Sequence, residues 1–240
     1  MATTPAPASP RAIAVVPDGQ RRWARAHGKS FREAYEIGAE NIRQIIGIAR
    51  DEGAQLFFVW GGSVENLKER PAEELLVLHQ VYEKFLRQVR DEWMDQTENA
   101  NSRFVHMGRA ELLNNTERAL IVEITEATKH RTGMVVALCL GYSGLDEQER
   151  ALTAWKLSGQ HGNWKDHLDL PRQGVPWQPI DLIIRTGEGG NEIVHDNEFL
   201  HGYRSETRLC FHTEFFPDVT PEMFRADLIR YRQGEQRRGA

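Results

Sequence analysis

The run Ala-Ile-Ala-Val-Val-Pro-Asp-Gly-Gln-Arg-Arg-Trp, residues 12–23, combines three kinds of sequence in a short space. Five apolar residues lead into a Pro-Asp-Gly turn, and a charged helical pattern follows, which predicts a buried strand, a loop and a helix. We therefore predict an α/β fold: a single domain with a central, mostly parallel six-stranded sheet flanked by helices. Five further apolar runs, each followed by a glycine-containing loop, support it, at residues 56–60, 104–107, 134–140, 182–184 and 209–211.

Two long helices are predicted between these runs. Residues 71–93 repeat apolar side chains at intervals of three and four, and Pro71 suits a first helical turn. Residues 157–178 have no clean period, so we expect an irregular connection with at most one short helix there. The other helix covers residues 31–51, with an apolar stripe of Ile37, Ile42, Ile45, Ile46 and Ile48.

Composition narrows the class of protein. The chain has 240 residues and a formal charge of −5, which argues against a nucleic-acid groove because phosphate binding normally leaves a basic excess. Residues 1–10 hold three prolines and no large apolar side chain after Met1, so we expect a disordered tail before a domain at residues 11–240. No run resembles a secretory signal or an integral membrane segment, and we expect a cytoplasmic protein. Cys139 and Cys210 are expected to be buried reduced thiols.

The first predicted loop carries a carboxylate and two guanidinium groups where a strand gives way to a helix. Asp18 suits Mg²⁺, and Arg21 and Arg22 suit phosphate oxygens at a helix start. The alternative is that Asp18 only caps the helix and that the arginines form a solvated face.

Two later loops also suit anions. Ser63, Asn66 and Arg70 follow the second strand, where Ser63 and Asn66 equally suit a helix cap. Arg185 leaves a predicted buried strand into a glycine-rich loop that includes Gly187. Because ligands collect at the carboxyl ends of parallel strands, the three loops together predict a diphosphate site.

The chain resembles the cis-prenyltransferases, whose common member is undecaprenyl diphosphate synthase. The resemblance extends over nearly all of residues 11–239. Its carriers are Asp18, Gly19, Arg22 and Trp23, then Gly28 and Gly38, then Ser63, Asn66 and Arg70, and finally residues 181–187, 216–218 and 237–239.

The resemblance implies a homodimer that binds an allylic diphosphate on the first loop, with the prenyl tail in an apolar tunnel. Asp18 would bind Mg²⁺ and assist departure of diphosphate, and Ser63 and Asn66 would line the reaction centre. Arg70 and Arg185 would bind diphosphates, and Arg237 would reach the partner's site. The further substrate-binding candidates are Gly19, Gln20, Arg21, Arg22, Trp23, Phe31, Tyr35, Gly187, His195 and Asn197.

The sequence departs from chain-elongating members in three places. Phe31 and Tyr35 replace an arginine and a histidine, and residues 195–197, His-Asp-Asn, replace the Arg-x-Ser that binds isopentenyl diphosphate. Arg208 replaces a glutamate that reaches the opposite subunit's metal, unless Glu206 substitutes through a bulge. His195 itself is either an ordinary polar residue or a phosphate contact or base.

These departures resemble the irregular members that make lavandulyl or cyclolavandulyl diphosphate. The predicted substrates are dimethylallyl and geranyl diphosphate, joined by head-to-middle coupling, and bulky Trp60 and Phe31 would favour short products. The alternatives are ordinary cis elongation with isopentenyl diphosphate, a non-catalytic partner subunit, and a terpene cyclase or diphosphate hydrolase on the same fold.

Overall fold

A six-stranded parallel sheet forms the centre of the protein. The computed structural model describes residues 9–94, 101–187 and 198–234. The spatial order is β3-β4-β2-β1-β5-β6, and every neighbouring pair is parallel. The predicted α/β fold with a parallel six-stranded sheet is thereby confirmed. The strands are β1 (Ala12–Val16), β2 (Leu56–Gly62), β3 (Arg103–Met107), β4 (Val135–Leu140), β5 (Leu182–Arg185) and β6 (Arg208–Phe211).

Helices cover both faces of the sheet. Several begin at side-chain caps: the Ser30 hydroxyl accepts from the Glu33 amide while the Glu33 carboxylate accepts from the Ser30 amide, so α2 starts where the sequence supplies a capping box. The helices are α1 (Gln20–His27), α2 (Phe31–Asp51), α3 (Val64–Glu69), α4 (Ala72–Met94), α5 (Asn115–Thr128), α6 (Gly144–Leu157), α7 (Asp169–Arg172) and α8 (Pro221–Gln233).

The strands divide the core into two layers. Ile13 and Val15 pack on one face of β1, with apolar side chains of α2, α4, α5 and α8. Ala12, Ala14 and Val16 pack on the other face, with side chains that include those of α6 and α7. This alternation follows from the two-residue period of a strand, and burial on both faces explains why β1 reads as an uninterrupted apolar run.

Three local expectations need correction. Ile37 is 37% exposed, because it lies nine residues, or two and a half helical turns, before the buried Ile46 and so faces away from it. Residues 157–178 contain two short helical segments, the 3₁₀ turn Trp164–His167 and α7. In the predicted tail, Pro10 is buried and the Ser9 hydroxyl accepts a hydrogen bond from Arg232; residues 1–8 lie outside the described residues.

The described part of the chain contains no helix that is both long enough and apolar enough to span a membrane.

Candidate active site

Three loops meet at the carboxyl edge of the sheet around β1. This strand pairs with β2 on one side and β5 on the other, so the loops that follow these strands are spatial neighbours. Chain order also reverses here, since β2 lies on one side of β1 and the later β5 on the other. Open parallel sheets bind ligands in the crevice at such a reversal. The predicted meeting of the Asp18, Ser63 and Arg185 loops therefore has a topological cause.

Asp18 is held between Arg22 of α1 and Arg185 at the end of β5. Its Oδ2 accepts a hydrogen bond of 3.1 Å from Arg185 Nη2, and its Oδ1 lies 3.4 Å from Arg22 Nη2. The Gly19 amide donates to Oδ1 at 2.6 Å. The hydroxyl of Thr186 donates to the Asp18 carbonyl at 2.9 Å, which fixes the backbone as well. Asp18 is therefore an oriented carboxylate at the centre of the site, and Gly19 is the residue at the N-cap position of α1.

Two glycines allow the loops to approach this closely. Gly19 has φ of 100°, and a Cβ there would lie 2.6 Å from Cδ1 of Phe215. Gly187 has φ of 74°, and its Cβ would lie 3.0 Å from the carbonyl carbon and oxygen of Asp18. L-residues with a side chain are strained at these dihedral angles. The site therefore depends on glycine at both positions.

A cavity of about 270 Å³ opens beside Asp18, between the sheet, α2 and α4. Its mouth is polar and includes Asp18, Gln20, Arg21, Asn66 and Arg70. A charged mouth above an apolar interior fits an amphiphile with an anionic head and a hydrocarbon tail. The interior is apolar and aromatic, with Ile42, Val59, Trp60, Leu78, Val81, Tyr82, Phe85, Leu138, Leu140 and Phe216.

A buried carboxylate that the sequence analysis missed orders the arginines at this mouth. Glu74 pairs with Nη1 of Arg70, accepts from the Tyr35 hydroxyl at 3.2 Å and lies 3.4 Å from Arg21 Nη1. Arg70 Nη1 also donates to the Tyr35 hydroxyl at 2.7 Å, and Nη2 donates to Asn66 Oδ1 at 3.3 Å. The available signal was spacing, since Arg70 and Glu74 are four residues apart around the start of α4.

The network also fixes protonation states. Burial raises the pKa of Tyr35, so its phenol stays a hydrogen-bond donor to Glu74. Burial lowers the pKa of Arg70, but the neighbouring Tyr35 and Glu74 outweigh this effect and the net pKa is raised. Arg70 thus presents a permanent positive charge at the mouth of the cavity.

Other predicted site residues have different surroundings. The Ser63 hydroxyl accepts from the Asn66 amide at 2.9 Å and caps α3. The Trp23 indole donates to Asp218 at 2.7 Å, and Trp23 packs in a small apolar cluster with Phe31. Among the described residues, the cavity lining includes Trp60 and Tyr35 but neither Trp23 nor Phe31. His195, Asn197 and Arg237 lie outside the described residues.

Arg208 stands where the family pattern has a glutamate. It forms hydrogen bonds at the C-terminal end of α8. Its guanidinium donates to the carbonyls of Tyr231 at 2.8 Å and Gly234 at 3.1 Å, and lies over the Tyr231 ring. A cation at a helix C-terminus is favourable because the last carbonyls have no helical partner. β6 pairs with β5 without a register shift from Arg208 to Phe211. Arg208 itself therefore occupies the first paired position of β6, opposite Leu182.

The surroundings of Asp18 fit Mg²⁺. This cation prefers oxygen ligands and is commonly held by one or two carboxylates together with substrate phosphates. Asp18 supplies an oriented carboxylate at the cavity mouth, and the nearby arginines suit phosphate oxygens. Asp18 is accordingly the residue that would hold the ion.

Comparison with known proteins decides the family. Residues 16–239 match the family model described as putative undecaprenyl diphosphate synthase. The chain belongs to this cis-prenyltransferase family. An isoprenyl transferase of Campylobacter jejuni is 28% identical over 227 residues, which cover 93% of this chain and 96% of the relative. A tritrans,polycis-undecaprenyl-diphosphate synthase of Methanocaldococcus jannaschii, specific for geranylgeranyl diphosphate, is 29% identical over 95% of this chain and 81% of its own.

Solved structures of the family share the fold. Lavandulyl diphosphate synthase from Lavandula x intermedia, crystallised with dimethylallyl diphosphate, superposes with a TM-score of 0.83 at 24% identity, over 95% of this chain and 97% of that one. A probable undecaprenyl diphosphate synthase from Campylobacter jejuni gives a TM-score of 0.75 at 23% identity over the same shares. At these identities the likeness establishes the cis-prenyltransferase architecture.

Proposed function

We propose that this cis-prenyltransferase family member is a Mg²⁺-dependent enzyme that joins two short allylic diphosphates by head-to-middle coupling. The substrates would be dimethylallyl and geranyl diphosphate, and the product a branched, lavandulyl-type diphosphate. The observation that carries the proposal is the small apolar cavity beneath a mouth of arginines and Asp18.

The size of the cavity supports a short prenyl tail. At about 270 Å³, it lies just below the usual range of ligand pockets, which is about 300 to 1,000 Å³. Trp60, Phe85 and Leu138 are among the side chains that fill its interior. The structural likeness to a lavandulyl diphosphate synthase is consistent with such a substrate.

The reaction balances as a transfer between two diphosphates. The C1–O bond of the donor breaks, and its electron pair leaves with diphosphate. The C2=C3 double bond of the acceptor supplies the electrons for the new bond to donor C1, which moves the positive charge to C3 of the acceptor. A methyl group at C3 then loses a proton to the released diphosphate, and a terminal double bond remains. The acceptor keeps its own diphosphate.

The charged and the apolar residues of the site have different roles in this reaction. Arg21, Arg22 and Arg70 bind the phosphate oxygens and stabilise the negative charge that develops on the leaving group. Bound Mg²⁺ would supply further positive charge to the same oxygens. The apolar walls around Val59 and Leu138 exclude water, which would otherwise capture the allylic cation.

The acceptor side supports irregular coupling over ordinary elongation. Arg208 is engaged with the carbonyls at the end of α8, so the carboxylate of the family pattern has no counterpart at this position. Loss of this glutamate weakens the case for isopentenyl diphosphate as acceptor.

A homodimer forms part of the proposal. Leu209 and Phe211 of the edge strand β6 are 50% and 51% exposed. Natural proteins seldom leave apolar side chains uncovered along a sheet edge. A second copy of the chain packed against β6 would cover them.

The experiment is product analysis by mass spectrometry with purified protein and Mg²⁺. Dimethylallyl diphosphate alone should give a ten-carbon monodiphosphate with release of one diphosphate per product, and a chelator should abolish it. A strict requirement for isopentenyl diphosphate would establish ordinary elongation. Complete release of diphosphate without joining of two substrate molecules would establish a hydrolase or cyclase, and no reaction would favour a partner subunit.

A further inference from the structure

Three side chains of metal-binding types converge away from the cavity, between β6 and α8. Cys210 and His212 are two residues apart along β6 and its extension, so they project from the same face. Asp227 of α8 faces them and is only 3% exposed. Their potential ligand atoms all lie within 4.8 Å of one another. The cluster thus joins a thiol, an imidazole and a carboxylate from two separate elements.

The separations of these atoms are close to those of a tetrahedral site. Cys210 Sγ lies 3.3 Å from Asp227 Oδ1 and 3.8 Å from His212 Nε2, and His212 Nε2 lies 2.7 Å from Asp227 Oδ2. With ordinary Zn²⁺ bond lengths, tetrahedral S, N and O ligands lie about 3.4–3.6 Å apart. The two short distances involve different oxygens of Asp227. For a central ion to reach all three side chains, the carboxylate must turn to present one oxygen, and the imidazole–carboxylate pair must separate by about 0.7 Å.

We propose that Cys210, His212 and Asp227 form a binding site for Zn²⁺ or a similar borderline-soft divalent cation. Sulfur and imidazole nitrogen favour such an ion over Mg²⁺, which prefers oxygen ligands alone. The site is therefore chemically distinct from the oxygen site at Asp18. Three protein ligands leave a fourth position for water or another ligand.

The surrounding charges permit this binding. Arg230 Nη1 lies 3.3 Å from Asp227 Oδ1 and 3.7 Å from Cys210 Sγ, but its side chain is 69% exposed and can turn into solvent when a cation arrives. Glu214 Oε2 lies 3.7 Å from the other imidazole nitrogen, His212 Nδ1. This separation is just beyond hydrogen-bonding distance. A small movement of Glu214 would let it accept from Nδ1–H, the contact by which carboxylates orient metal-binding histidines.

The ion would brace the wall of the active site. The His212 amide donates to the Arg185 carbonyl at 2.8 Å, and the Glu214 carbonyl accepts from the Gly187 amide at 2.7 Å. These bonds join the segment after β6 to Arg185 and Gly187, which lie against Asp18 in the active site. Binding at the cluster would tie this segment to α8 and so stabilise the fold without touching substrate.

Cobalt substitution tests the site directly. Full-length protein purified under reducing conditions would be titrated with Co²⁺ and followed by absorbance, then by Zn²⁺ competition. The wild type should bind one ion with a thiolate-to-cobalt charge-transfer band and intense tetrahedral visible bands, and Zn²⁺ should displace it. Cys210→Ser should lose the charge-transfer band. Cys139→Ala is the matched control, because Cys139 is buried in β4, and it should retain the full spectrum.

A second variant and a second measurement distinguish loss of the metal site from misfolding of the protein. Asp227→Asn keeps the size of the side chain, so its circular dichroism should match the wild type while its affinity for Co²⁺ falls at least about tenfold. Zn²⁺ should raise the Tm of the wild type and of Cys139→Ala, but not that of Cys210→Ser. The proposal is overturned if the wild-type protein shows no thiolate band, or if Cys210→Ser and the wild type give the same spectrum.

Discussion

The substitution Phe85→Ala tests whether the wall of the cavity limits the length of the prenyl tail. A recess of about 140 Å³ lies on the outer side of α2 and α4, and it shares Ala39, Val81 and Phe85 with the cavity of about 270 Å³. These three side chains therefore separate the two spaces. Removal of the Phe85 ring should join them and lengthen the volume open to hydrocarbon.

The size of the effect follows from the extra carbons. Geranyl diphosphate has five more carbons than dimethylallyl diphosphate, and each buried methylene contributes about 0.8 kcal/mol, so complete burial would contribute about 4 kcal/mol. A third of this contribution corresponds to about a tenfold change. We therefore expect Phe85→Ala to raise the ratio of kcat/KM for geranyl over dimethylallyl diphosphate at least about tenfold. The same change should lower the free energy of unfolding by about 3–5 kcal/mol, so the assay belongs at low temperature.

Leu76→Ala is the matched control, since Leu76 lies on the same helix, α4, and is 61% exposed. It should leave the substrate ratio unchanged. The reasoning is refuted if Phe85→Ala is folded by circular dichroism and yet has a substrate ratio within about twofold of that of Leu76→Ala.

Three further changes test the site and the fold. Asp18→Asn keeps the shape of the side chain but removes its charge, so kcat should fall at least about a hundredfold; near-normal kcat in a folded variant would exclude Asp18 as the metal-binding residue. Burial and nearby Asp169 raise the pKa of Glu147 to about 7 from 4.5, so its stabilising contribution is present below about pH 4.5 and is lost as pH rises through 7. Urea unfolding across this range should show that the wild type loses stability relative to Glu147→Gln, by an amount on the order of 1–3 kcal/mol, and parallel curves for the two proteins would contradict this assignment. Gly19→Ala places a Cβ 2.6 Å from Phe215 Cδ1 at a φ of 100° and should lower the free energy of unfolding by at least about 1 kcal/mol, whereas an unchanged Tm would mean that the loop relaxes without cost.

The sheet was predictable because local sequence determines it. Apolar runs such as residues 12–16 and 182–184 are buried on both faces, so they carry a strong signal. The loops at their carboxyl ends could then be grouped from the rule for parallel sheets alone. Asp18 and Arg185 were expected in one site for this reason, and they are joined by a hydrogen bond of 3.1 Å.

The remaining features depend on tertiary packing. Glu74 contacts Arg21 of α1 and Arg70, which follows α3. Only the packing of α1 on α2 and of α2 on α4 brings Arg21 and Tyr35 to it. Periodicity placed Phe85 on the buried face of α4, but it could not show that the ring closes a cavity.

Cys210 was predicted to be buried, and it is only partly buried. Its nearest local signal was the Cys-x-His spacing with His212, which places both side chains on one face of a strand. Asp227 is far away in sequence, so the cluster emerges only when α8 packs beside β6.

The most direct test of head-to-middle coupling is the labelling pattern of the product made from dimethylallyl diphosphate that carries ¹³C at C1, supplied as sole substrate. The product would be dephosphorylated and examined by NMR. We predict a branched ten-carbon alcohol with two labelled carbons, one bonded to oxygen and the other separated from it by a single unlabelled carbon. A linear product that forms only when isopentenyl diphosphate is added, or labelled five-carbon alcohol with no new carbon–carbon bond, would contradict the proposed reaction.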